Sequence, residues 1–394
     1  ASLVDAAPPF ERRPSVGEEA LMEIAGRRQQ PCMRTCRFFL TSQRSGRRTD
    51  DFYERGTELG GGAFGTVWKR LHKQTQTYRA VKNIRWPTIR QQGVEGSLDL
   101  MRRELMSLME LDHPNIITFR EWFQDDSEGI FIVTDLCEGG SLHEYIVEVA
   151  SDPSREEQEV QRCQMELFRG VLRQLTYALA YIHGRGIIHR DIKPANVLVS
   201  GRTDLMMRIK LIDFGLAALH EEVADAAAGT MEYMAPELFL NDSANARSQG
   251  VDIWGLGIIT VIALTAVLQG RLMHPFLDPR YEDQGGPTLY HRLLCAYESF
   301  VAGRRSWYTQ ILEGAPASAR QLCSDILVYT DRPSAVDLQI DGWFNEEDCS
   351  DARNLLKDIR ASDNLKSWRA LDKFEQKVLF LLANYVKDDS PRAQ

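Results

Sequence analysis

The stretch between Gly215 and Thr230 has fourteen residues and no serine, threonine or tyrosine. No secretory signal opens the chain, and the seven cysteines lack the spacing of a disulfide framework, so we expect a reducing compartment and a cytoplasmic location. The net charge of −9 disfavours nucleic-acid binding by the whole protein. The single uncharged run of membrane-like length, residues 254–270, is at the lower limit for a spanning helix. We therefore expect a buried core helix and no transmembrane segment.

The first fifty residues differ in composition from the rest of the chain. They contain nine arginines and no lysine, which indicates a basic, flexible N-terminal extension over residues 1–51. Within it, the run ERRPSV has the form of a basic-directed phosphorylation site at Ser15. The alternative is a solvated tail without function.

Two regions of different secondary structure follow the extension. Residues 52–134 carry β-type runs such as GTVWKRL, TYRAVKNI and GIFIVTDL, with a helical pattern, SLDLMRRELMSLMEL, between them. From residue 139 to about 347 the chain is mainly helical, with two strand-like pieces, NVLV and IKLI. The paired glycines of DLCEGG, residues 135–140, are typical of a hinge. We predict an α+β protein of two lobes, and ligand sites favour the cleft between such lobes.

A glycine-rich loop lies near the start of the first region. Gly60, Gly62 and Gly65 have the spacing GxGxxG, which by itself is a weak signal. In dinucleotide-binding units this spacing leads into a helix, whereas here the β-branched Thr66 and Val67 continue the strand. A strand–turn–strand loop of glycines presents backbone N–H groups to phosphates. The alternative is a plain hairpin turn.

Charged and polar residues in apolar surroundings form the strongest signal. Lys82 lies in an apolar strand, where a charge is costly unless it is paired, and Glu104 on the following helix is the expected partner. The run IIHRDIKPANVL crowds five polar side chains into eight positions: His189, Arg190, Asp191, Lys193 and Asn196. Asp213 follows in IDFG, and the oxygens of Asn196 and Asp213 suit magnesium bound to phosphates.

Taken in order, these motifs resemble the protein kinase family. The glycine loop, the strand lysine, HRDxKxxN, DFG and APE all occur between residues 52 and 347. The resemblance implies a bilobal fold with a small antiparallel N-lobe containing one regulatory helix (52–134), a hinge (135–138) and a larger helical C-lobe (139–347). It also implies ATP and Mg²⁺ as cofactors and proteins as substrates.

The resemblance assigns roles to the polar residues. Asp191 would orient the substrate hydroxyl and accept its proton, and Lys193 would steady the γ-phosphate. Asn196 and Asp213 would hold magnesium. Lys82 would contact the α- and β-phosphates and pair with Glu104. A lysine two residues after the aspartate is typical of the serine/threonine class, with Thr230 lining the pocket for the acceptor hydroxyl.

The resemblance also implies an adenine pocket and two structural contacts. Thr134 would guard the back of the pocket, and Asp135 and Cys137 would offer backbone groups to the base. Three apolar residues would cover it: Leu59, Val67 and Ala80. Asp252, just before the uncharged run, would brace the HRD backbone from beneath. Arg332 would form an ion pair with Glu237 of APE.

The segment without hydroxyl groups bears on regulation. Many kinases order this segment by pairing a phosphate with the arginine of HRD. Here Arg190 is present, but no residue between Gly215 and Thr230 has a hydroxyl group that could be phosphorylated. Three carboxylates are candidates for a permanent partner of Arg190: Glu221, Glu222 and Asp225. The alternative is that they are solvated. In either case we expect the switch to lie elsewhere in the chain.

A predicted regulatory segment spans residues 348–394. Within it, residues 364–386 place apolar side chains at helical spacing beside a partly basic face, which suits a calcium-sensor groove or docking on the kinase lobe. The segment resembles the autoinhibitory junction of the calcium-dependent protein kinases of plants and apicomplexans. An additional packed helix is the alternative.

Two features depart from that family. The 394 residues contain no EF-hand loop, so the sensor would be a separate protein or a missing domain. After the hinge the family has the sequence GGEL, whose glutamate helps to recognise basic substrates, whereas this chain has GGSL, with Ser141. Recognition of basic substrates would then depend on Glu144. We expect a monomeric Ser/Thr kinase, and a pseudokinase scaffold without catalysis is the rival interpretation.

Overall fold

The computed structural model describes part of the chain. The described residues are 48–62, 65–85, 109, 111–125, 127–202, 207–214, 218–219, 230–240, 242, 248–277, 288–303 and 308–345. The chain divides into two compact units, Ala1–Phe344 and Asn345–Gln394, and only the first is described here in detail. Most of the predicted extension, the helix carrying Glu104 and the segment after residue 345 lie outside the described residues.

A five-stranded antiparallel sheet forms the first lobe. Its elements are helix α1 (Thr49–Phe52) and strands β1 (Thr57–Gly62), β2 (Gly65–His72), β3 (Thr77–Ile84), β4 (Phe119–Asp125) and β5 (Gly129–Asp135). The strand order is β1-β2-β3-β5-β4, and every neighbouring pair is antiparallel. The predicted antiparallel sheet is therefore confirmed.

Both faces of this sheet are covered, as strand β5 illustrates. Successive side chains of a strand point to opposite faces. Phe131 and Val133 belong to a small apolar cluster with Tyr53, whereas Ile130 and Ile132 belong to the main core. On the neighbouring strand β3, Lys82 is paired in register with Ile132. Lys82 therefore shares the sheet face that packs toward the main core.

Helices and two short β-ribbons form the second lobe. The helices are α2 (Leu142–Ser151), α3 (Gln158–His183), α4 (Pro236–Phe239), α5 (Gly250–Gln269), α6 (Leu289–Val301), α7 (Tyr308–Ile311), α8 (Ala317–Ile326), α9 (Ala335–Leu338) and α10 (Gly342–Asn345). The ribbons pair β6 (Ile187–Ile188) with β9 (Ala218–Leu219), and β7 (Val197–Arg202) with β8 (Met207–Leu211). The predicted α+β fold with a helical second lobe is confirmed.

Helix α5 contains most of the uncharged run, residues 254–270, that was predicted to form a buried core helix. It is apolar on all sides and almost fully buried, and a helix that is hydrophobic all round belongs in a protein core. Among the described helices it alone has the length and hydropathy to cross a membrane, and 94% of its apolar window is buried inside the protein. The prediction of a buried core helix is confirmed.

A loop before β4 attaches the first lobe to the second. Backbone hydrogen bonds join Ile117 N–H to the carbonyl oxygen of Leu211, and Leu211 N–H to that of Asn115. The Asn115 side chain donates to Gln174 Oε1 on α3 at 2.8 Å. Since Leu211 ends β8 two residues before Asp213, this loop places that aspartate at the boundary between the lobes.

Candidate active site

The glycine-rich loop is a hairpin between β1 and β2, in which Gly60 pairs with Val67 and Gly62 with Gly65. A Cβ atom on Gly65 would lie 1.8 Å from the carbonyl oxygen of Asn83, so the packing of β2 on β3 requires glycine there. A Cβ atom on Gly60 would meet no atom within 4 Å. Packing therefore does not require Gly60, and the space beside its Cα atom is open.

Lys82 and Asp213 meet across 131 positions of sequence. The Nζ atom of Lys82 lies 3.3 Å from Oδ1 of Asp213, and both side chains are partly buried. Glu104, the partner predicted for Lys82, lies outside the described residues, so that ion pair stays a prediction. Asp213 has a left-handed backbone, with φ of 63°, and the next residue, Phe214, is fully buried against the His189 ring.

Asp191 is the centre of a second polar group. Its Oδ2 accepts hydrogen bonds from Lys193 Nζ at 2.6 Å and from Asn196 Nδ2 at 2.9 Å. Its Oδ1 accepts from the backbone N–H of Thr230 at 3.1 Å. Lys193 also donates to Thr230 Oγ1 at 2.5 Å. Two predicted catalytic residues, a predicted magnesium ligand and the threonine predicted to line the acceptor pocket thus form one hydrogen-bonded group.

The surroundings of Asp191 keep it ionised. Burial by itself would raise the pKa of this carboxyl group, but the Lys193 ammonium and the Thr230 amide outweigh burial and hold the pKa below its ordinary value. The group is therefore a carboxylate at neutral pH and can accept a proton.

Backbone hydrogen bonds bring the two polar groups side by side. Ile212 N–H donates to the carbonyl oxygen of Asn196 at 2.9 Å. His189 Nε2 donates to the carbonyl oxygen of Ile212 at 3.0 Å, which assigns the proton to Nε2, and Nδ1 accepts from Asp191 N–H at 3.3 Å. Ile212 immediately precedes Asp213, so His189 and Ile212 align the aspartates at 191 and 213 along one cleft wall.

Asp252, fully buried at the first turn of α5, supports the loop from below. Its carboxylate accepts from the backbone N–H groups of His189 at 2.9 Å and Arg190 at 2.7 Å, and from His183 Nε2 at 2.8 Å. The contact predicted from the resemblance is present. Burial would raise the pKa of Asp252, but these donors lower it. Arg190 has φ of 68°, an unfavourable conformation that these bonds maintain.

The segment after Thr230 is held by two side chains that the sequence did not reveal, the half-buried His274 and the buried Tyr297. His274 Nε2 donates to the carbonyl oxygen of Glu232 at 2.7 Å, and its Nδ1 accepts from Phe276 N–H at 3.1 Å. The Tyr297 hydroxyl donates to the carbonyl oxygen of Met234 at 2.9 Å. Neither residue stands in a motif, and no local pattern identifies them.

The ion pair predicted between Arg332 and Glu237 is also present. It is bidentate, with Nη2 to Oε2 at 2.9 Å, and both side chains are almost fully buried. Arg332 also donates to the carbonyl oxygens of Val328 and Gly250 and lies over the Trp254 ring. It therefore joins α4, α5 and the turn before α9.

The residues predicted to surround adenine lie on strands β1, β2, β3 and β5 and in the stretch just after β5. Val67 pairs with Lys82 across β2 and β3, and Ala80 pairs with Thr134 across β3 and β5. Cys137 is half-buried, and burial raises the pKa of its thiol to about 11, which keeps it protonated. Leu59 is 52% exposed at the edge of β1. Their contact with a nucleotide stays a prediction.

The side chain of Asp135 has a structural contact that the sequence reading did not include. Arg120 grips it with two hydrogen bonds of 2.7 Å, and Arg79 lies 3.3 Å away. The carboxylate therefore fastens the start of the hinge to β3 and β4.

Ser141 and Glu144 form a capping box at the start of α2. Glu144 Oε2 accepts from Ser141 N–H at 2.7 Å, and Ser141 Oγ accepts from Glu144 N–H at 3.3 Å. The Glu144 carboxylate, which was expected to recognise basic substrates, is thus engaged in capping the N-terminus of α2. The preference for basic substrates stays a prediction.

The donor set fits magnesium bound through a nucleotide. Among the described residues there is no group of three or more His, Cys, Asp or Glu side chains that suits a protein-only metal site. Magnesium usually takes one or two carboxylates and completes its shell with phosphate oxygens and water. Asp213 and the amide oxygen of Asn196, beside the ammonium of Lys82, match that arrangement.

Comparison with known proteins agrees with this geometry. The family model for the protein kinase domain matches residues 53–278. A probable myosin light chain kinase of Dictyostelium discoideum is 35% identical over 252 residues, 61% of this chain and 59% of the relative. Calcium/calmodulin-dependent protein kinase type IV of Mus musculus is 30% identical over 69% of this chain and 50% of its own.

A third relative extends further along the chain. Calcium-dependent protein kinase 3 of Plasmodium berghei is 27% identical over 346 residues, 86% of this chain and 55% of the relative. The chain thus spans between half and three fifths of the length of these three curated relatives.

Proposed function

Because the chain belongs to the protein kinase family and its domain is of the serine/threonine class, we propose that it transfers the γ-phosphoryl group of ATP to protein serine and threonine hydroxyls. One observation carries the proposal. Asp191, Lys193, Asn196 and Thr230 form one hydrogen-bonded group beside the Lys82–Asp213 pair. A scaffold without catalysis has no need of such a group.

Asp191 acts on the acceptor hydroxyl. Its ionised carboxylate accepts the hydroxyl proton as the oxygen attacks phosphorus, and the backbone N–H of Thr230 and the amide of Asn196 hold it in position. Lys193 bridges Asp191 and Thr230, so its charge lies where the transferred group gains negative charge. Catalysis rests mainly on positioning and charge neutralisation.

The nucleotide is bound by Lys82, Gly60 and Asp213. The ammonium of Lys82 contacts phosphate oxygens, and the bare backbone at Gly60 allows the phosphates to approach the hairpin. Magnesium, when bound by Asp213 and Asn196, neutralises charge on the phosphates. The left-handed backbone at Asp213 aims its carboxylate at Lys82.

Phosphotransfer to a generic serine peptide, compared between the wild type and Asp191→Ala, tests the proposal. We expect the variant to lose activity by about 10³-fold or more, because the proton acceptor is removed. The exposed Asp325→Ala is the matched control and should retain full activity. Equally low rates in wild type and Asp191→Ala, with retained binding of a nucleotide analogue, would establish the scaffold interpretation instead.

We also propose that calcium controls this activity through residues 364–386. Support comes from the amphipathic, partly basic pattern of the segment and from the printed names of the relatives, which include calcium- and calmodulin-dependent kinases. The segment lies outside the described residues. In this proposal its apolar face restrains the kinase, and a calcium sensor removes the restraint.

The full chain with Trp368→Ala and Phe374→Ala tests this control. We expect the double variant to be active without calcium, because the apolar anchors of the segment are lost, while calcium-loaded calmodulin activates the wild type alone. Lys366→Ala on the polar face is the control. If the double variant keeps wild-type activity with and without calcium and calmodulin, the segment has only a structural role.

A further inference from the structure

A groove lies on the second lobe, between the C-terminal half of α2 and the N-terminal half of α3. Its volume is about 500 Å³, within the range of ligand-binding clefts. The chain reverses between the two helices through a short turn, Pro153–Glu156. None of the residues of the active site lines the groove. It therefore needs an explanation separate from phosphotransfer.

Apolar side chains form the floor of the groove. Tyr145 and Val149 of α2 are buried, and Val160 and Leu167 of α3 are half-buried. The Tyr145 ring packs against Phe168, with ring centroids 5.3 Å apart, which anchors the floor in the main core. A leucine-sized side chain placed here would bury apolar surface against a rigid base, which is favourable.

Gln164 lines the groove and has an unsatisfied atom. The side chain is 8% exposed, and its Nε2 donates to Asp152 Oδ2 at 3.3 Å. Its Oε1 is buried and has no hydrogen-bond partner among the residues that the structure describes. A buried acceptor without a donor costs free energy, and native proteins rarely leave one. A ligand that brings an N–H donor into the groove would remove this cost.

The charged residues that line the groove are all acidic: Glu148, Asp152 and Glu159. Arg162 pairs with Glu159 at 3.2 Å, but both side chains are mostly exposed, and such pairs are weak. Asp152 already accepts hydrogen bonds from Ser154 and Gln164, and no metal-binding group of three or more His, Cys, Asp or Glu exists in the described part of the chain. The charge complementarity therefore points to a cationic organic ligand.

We propose that the groove docks a peptide segment of a partner protein, in which an arginine stands beside apolar residues. The guanidinium group donates to Gln164 Oε1 and to the acidic rim, and the neighbouring apolar side chain covers Tyr145 and Val149. Arginine fits better than a simple cation because its donors are arranged as a rigid fork. Docking at a separate groove gives a kinase a means of selecting partners beyond the acceptor hydroxyl.

Binding of labelled hexapeptides to the full-length protein, measured by fluorescence anisotropy, tests the proposal without requiring catalysis. The probe has two central leucines flanked by arginines. One control peptide replaces the arginines with glutamates, and the other replaces the leucines with serines. We expect the probe to bind with a micromolar Kd and both controls to bind at least about tenfold more weakly, since each lacks one of the two complementary features.

Variants locate the binding site. The double variant Glu148→Lys and Glu159→Lys reverses the rim, and Cys163→Trp places a bulky side chain in the groove; each should weaken probe binding by about tenfold or more. Glu157→Lys is the matched control, because Glu157 is exposed in the same acidic stretch but does not line the groove. Unchanged thermal melting verifies folding. Equal binding by all variants, or no binding at about 1 mM probe, overturns the proposal.

Discussion

Asp191 is a buried carboxylate whose charge is maintained by its immediate neighbours. Lys193 supplies the nearest cation, at 2.6 Å, and Asn196 and the Thr230 amide supply hydrogen bonds. Burial opposes the charge, and these groups outweigh burial. The same three residues that position Asp191 therefore also set the pH range in which it accepts a proton.

The substitution Lys193→Met tests how far this ammonium group keeps Asp191 ionised. With the cation removed, burial acts against fewer opposing groups, so the pKa of Asp191 should rise. Because Asp191 works only when ionised, the acid limb of kcat/KM against pH should move to higher pH, and activity should fall by about 10²-fold. The measurement is a pH profile of phosphotransfer. Lys73→Met, at an exposed lysine that donates to the Asp50 backbone, should leave the acid limb in place.

A Lys193→Met profile that retains the wild-type acid limb would contradict this account of Asp191. It would mean that the hydrogen bonds from Asn196 and Thr230 suffice to keep the carboxylate ionised.

Two functional segments depend on side chains from distant parts of the chain. Asp252 of α5 holds the backbone of His189 and Arg190, and His274, after α5, holds the carbonyl oxygen of Glu232. In each case a connecting segment obtains hydrogen-bond partners from a side chain that is distant in the sequence. The conformation of both segments therefore depends on these hydrogen bonds.

Replacement of Asp252 tests the first contact. Asp252→Ala leaves two buried N–H groups and His183 without their acceptor, which should lower the free energy of unfolding by roughly 3 kcal/mol. Asp252→Asn keeps one acceptor oxygen and should lose less. Urea unfolding gives the stability, and kcat of the folded fraction should fall because the loop carries Asp191. Equal stability of the alanine variant and the wild type would refute the bracing role.

Replacement of His274 tests the second contact through pH. Burial lowers the pKa of His274 to about 4, from an ordinary value of 6.5. Between these pH values the unfolded chain binds a proton that the folded protein excludes, so the contribution of His274 to stability is complete above pH 6.5 and is lost as the pH falls toward 4. Its size is at most about 3 kcal/mol.

The stability of wild type and His274→Phe, measured in urea at pH 7, 6 and 5, isolates this contribution. The variant should be less stable at pH 7, because Glu232 and Phe276 lose a hydrogen-bond partner, and the difference should shrink as the pH falls. His113, whose pKa burial also lowers to about 4, is present in both proteins and cancels. A difference that stays constant or grows toward pH 5 would rule out the neutral, donating form of His274.

In the second lobe, an ion pair connects α4, which follows the active site, to the turn before α9. Glu237 lies in α4 and Arg332 lies 95 positions later, stacked on Trp254 of the central helix. Both charged groups are buried, so each is stabilised by the opposite charge of the other and not by water. Such a pair stabilises a particular arrangement of helices more than it adds net stability.

The substitution Glu237→Gln should destabilise the protein by about 3–5 kcal/mol, because it leaves Arg332 buried without its counter-charge. The double variant Glu237→Leu with Arg332→Met removes both charges and should recover part of that loss. Thermal and urea unfolding measure both effects. A double variant less stable than Glu237→Gln would show that the attraction exceeds the cost of burying the charges.

Local sequence determined the parts of this protein whose physical cause is local. Runs of β-type residues predicted strands β2, β3 and β5, and the uncharged apolar run predicted buried α5. Polar residues crowded between apolar flanks marked the loop at 189–196. Each of these patterns reports burial or backbone geometry within a few residues. They sufficed for the fold class, and the order of motifs sufficed for the family.

Only the tertiary structure decided which distant residues meet. The contact of Lys82 with Asp213, the support of Glu232 by His274 and the grip of Arg120 on Asp135 all depend on strand order and on the packing of α5. The groove beside Gln164 likewise exists only because α2 and α3 are placed side by side. Periodicity along a chain encodes which face is buried but not what it is buried against, and that information arises only when the elements pack.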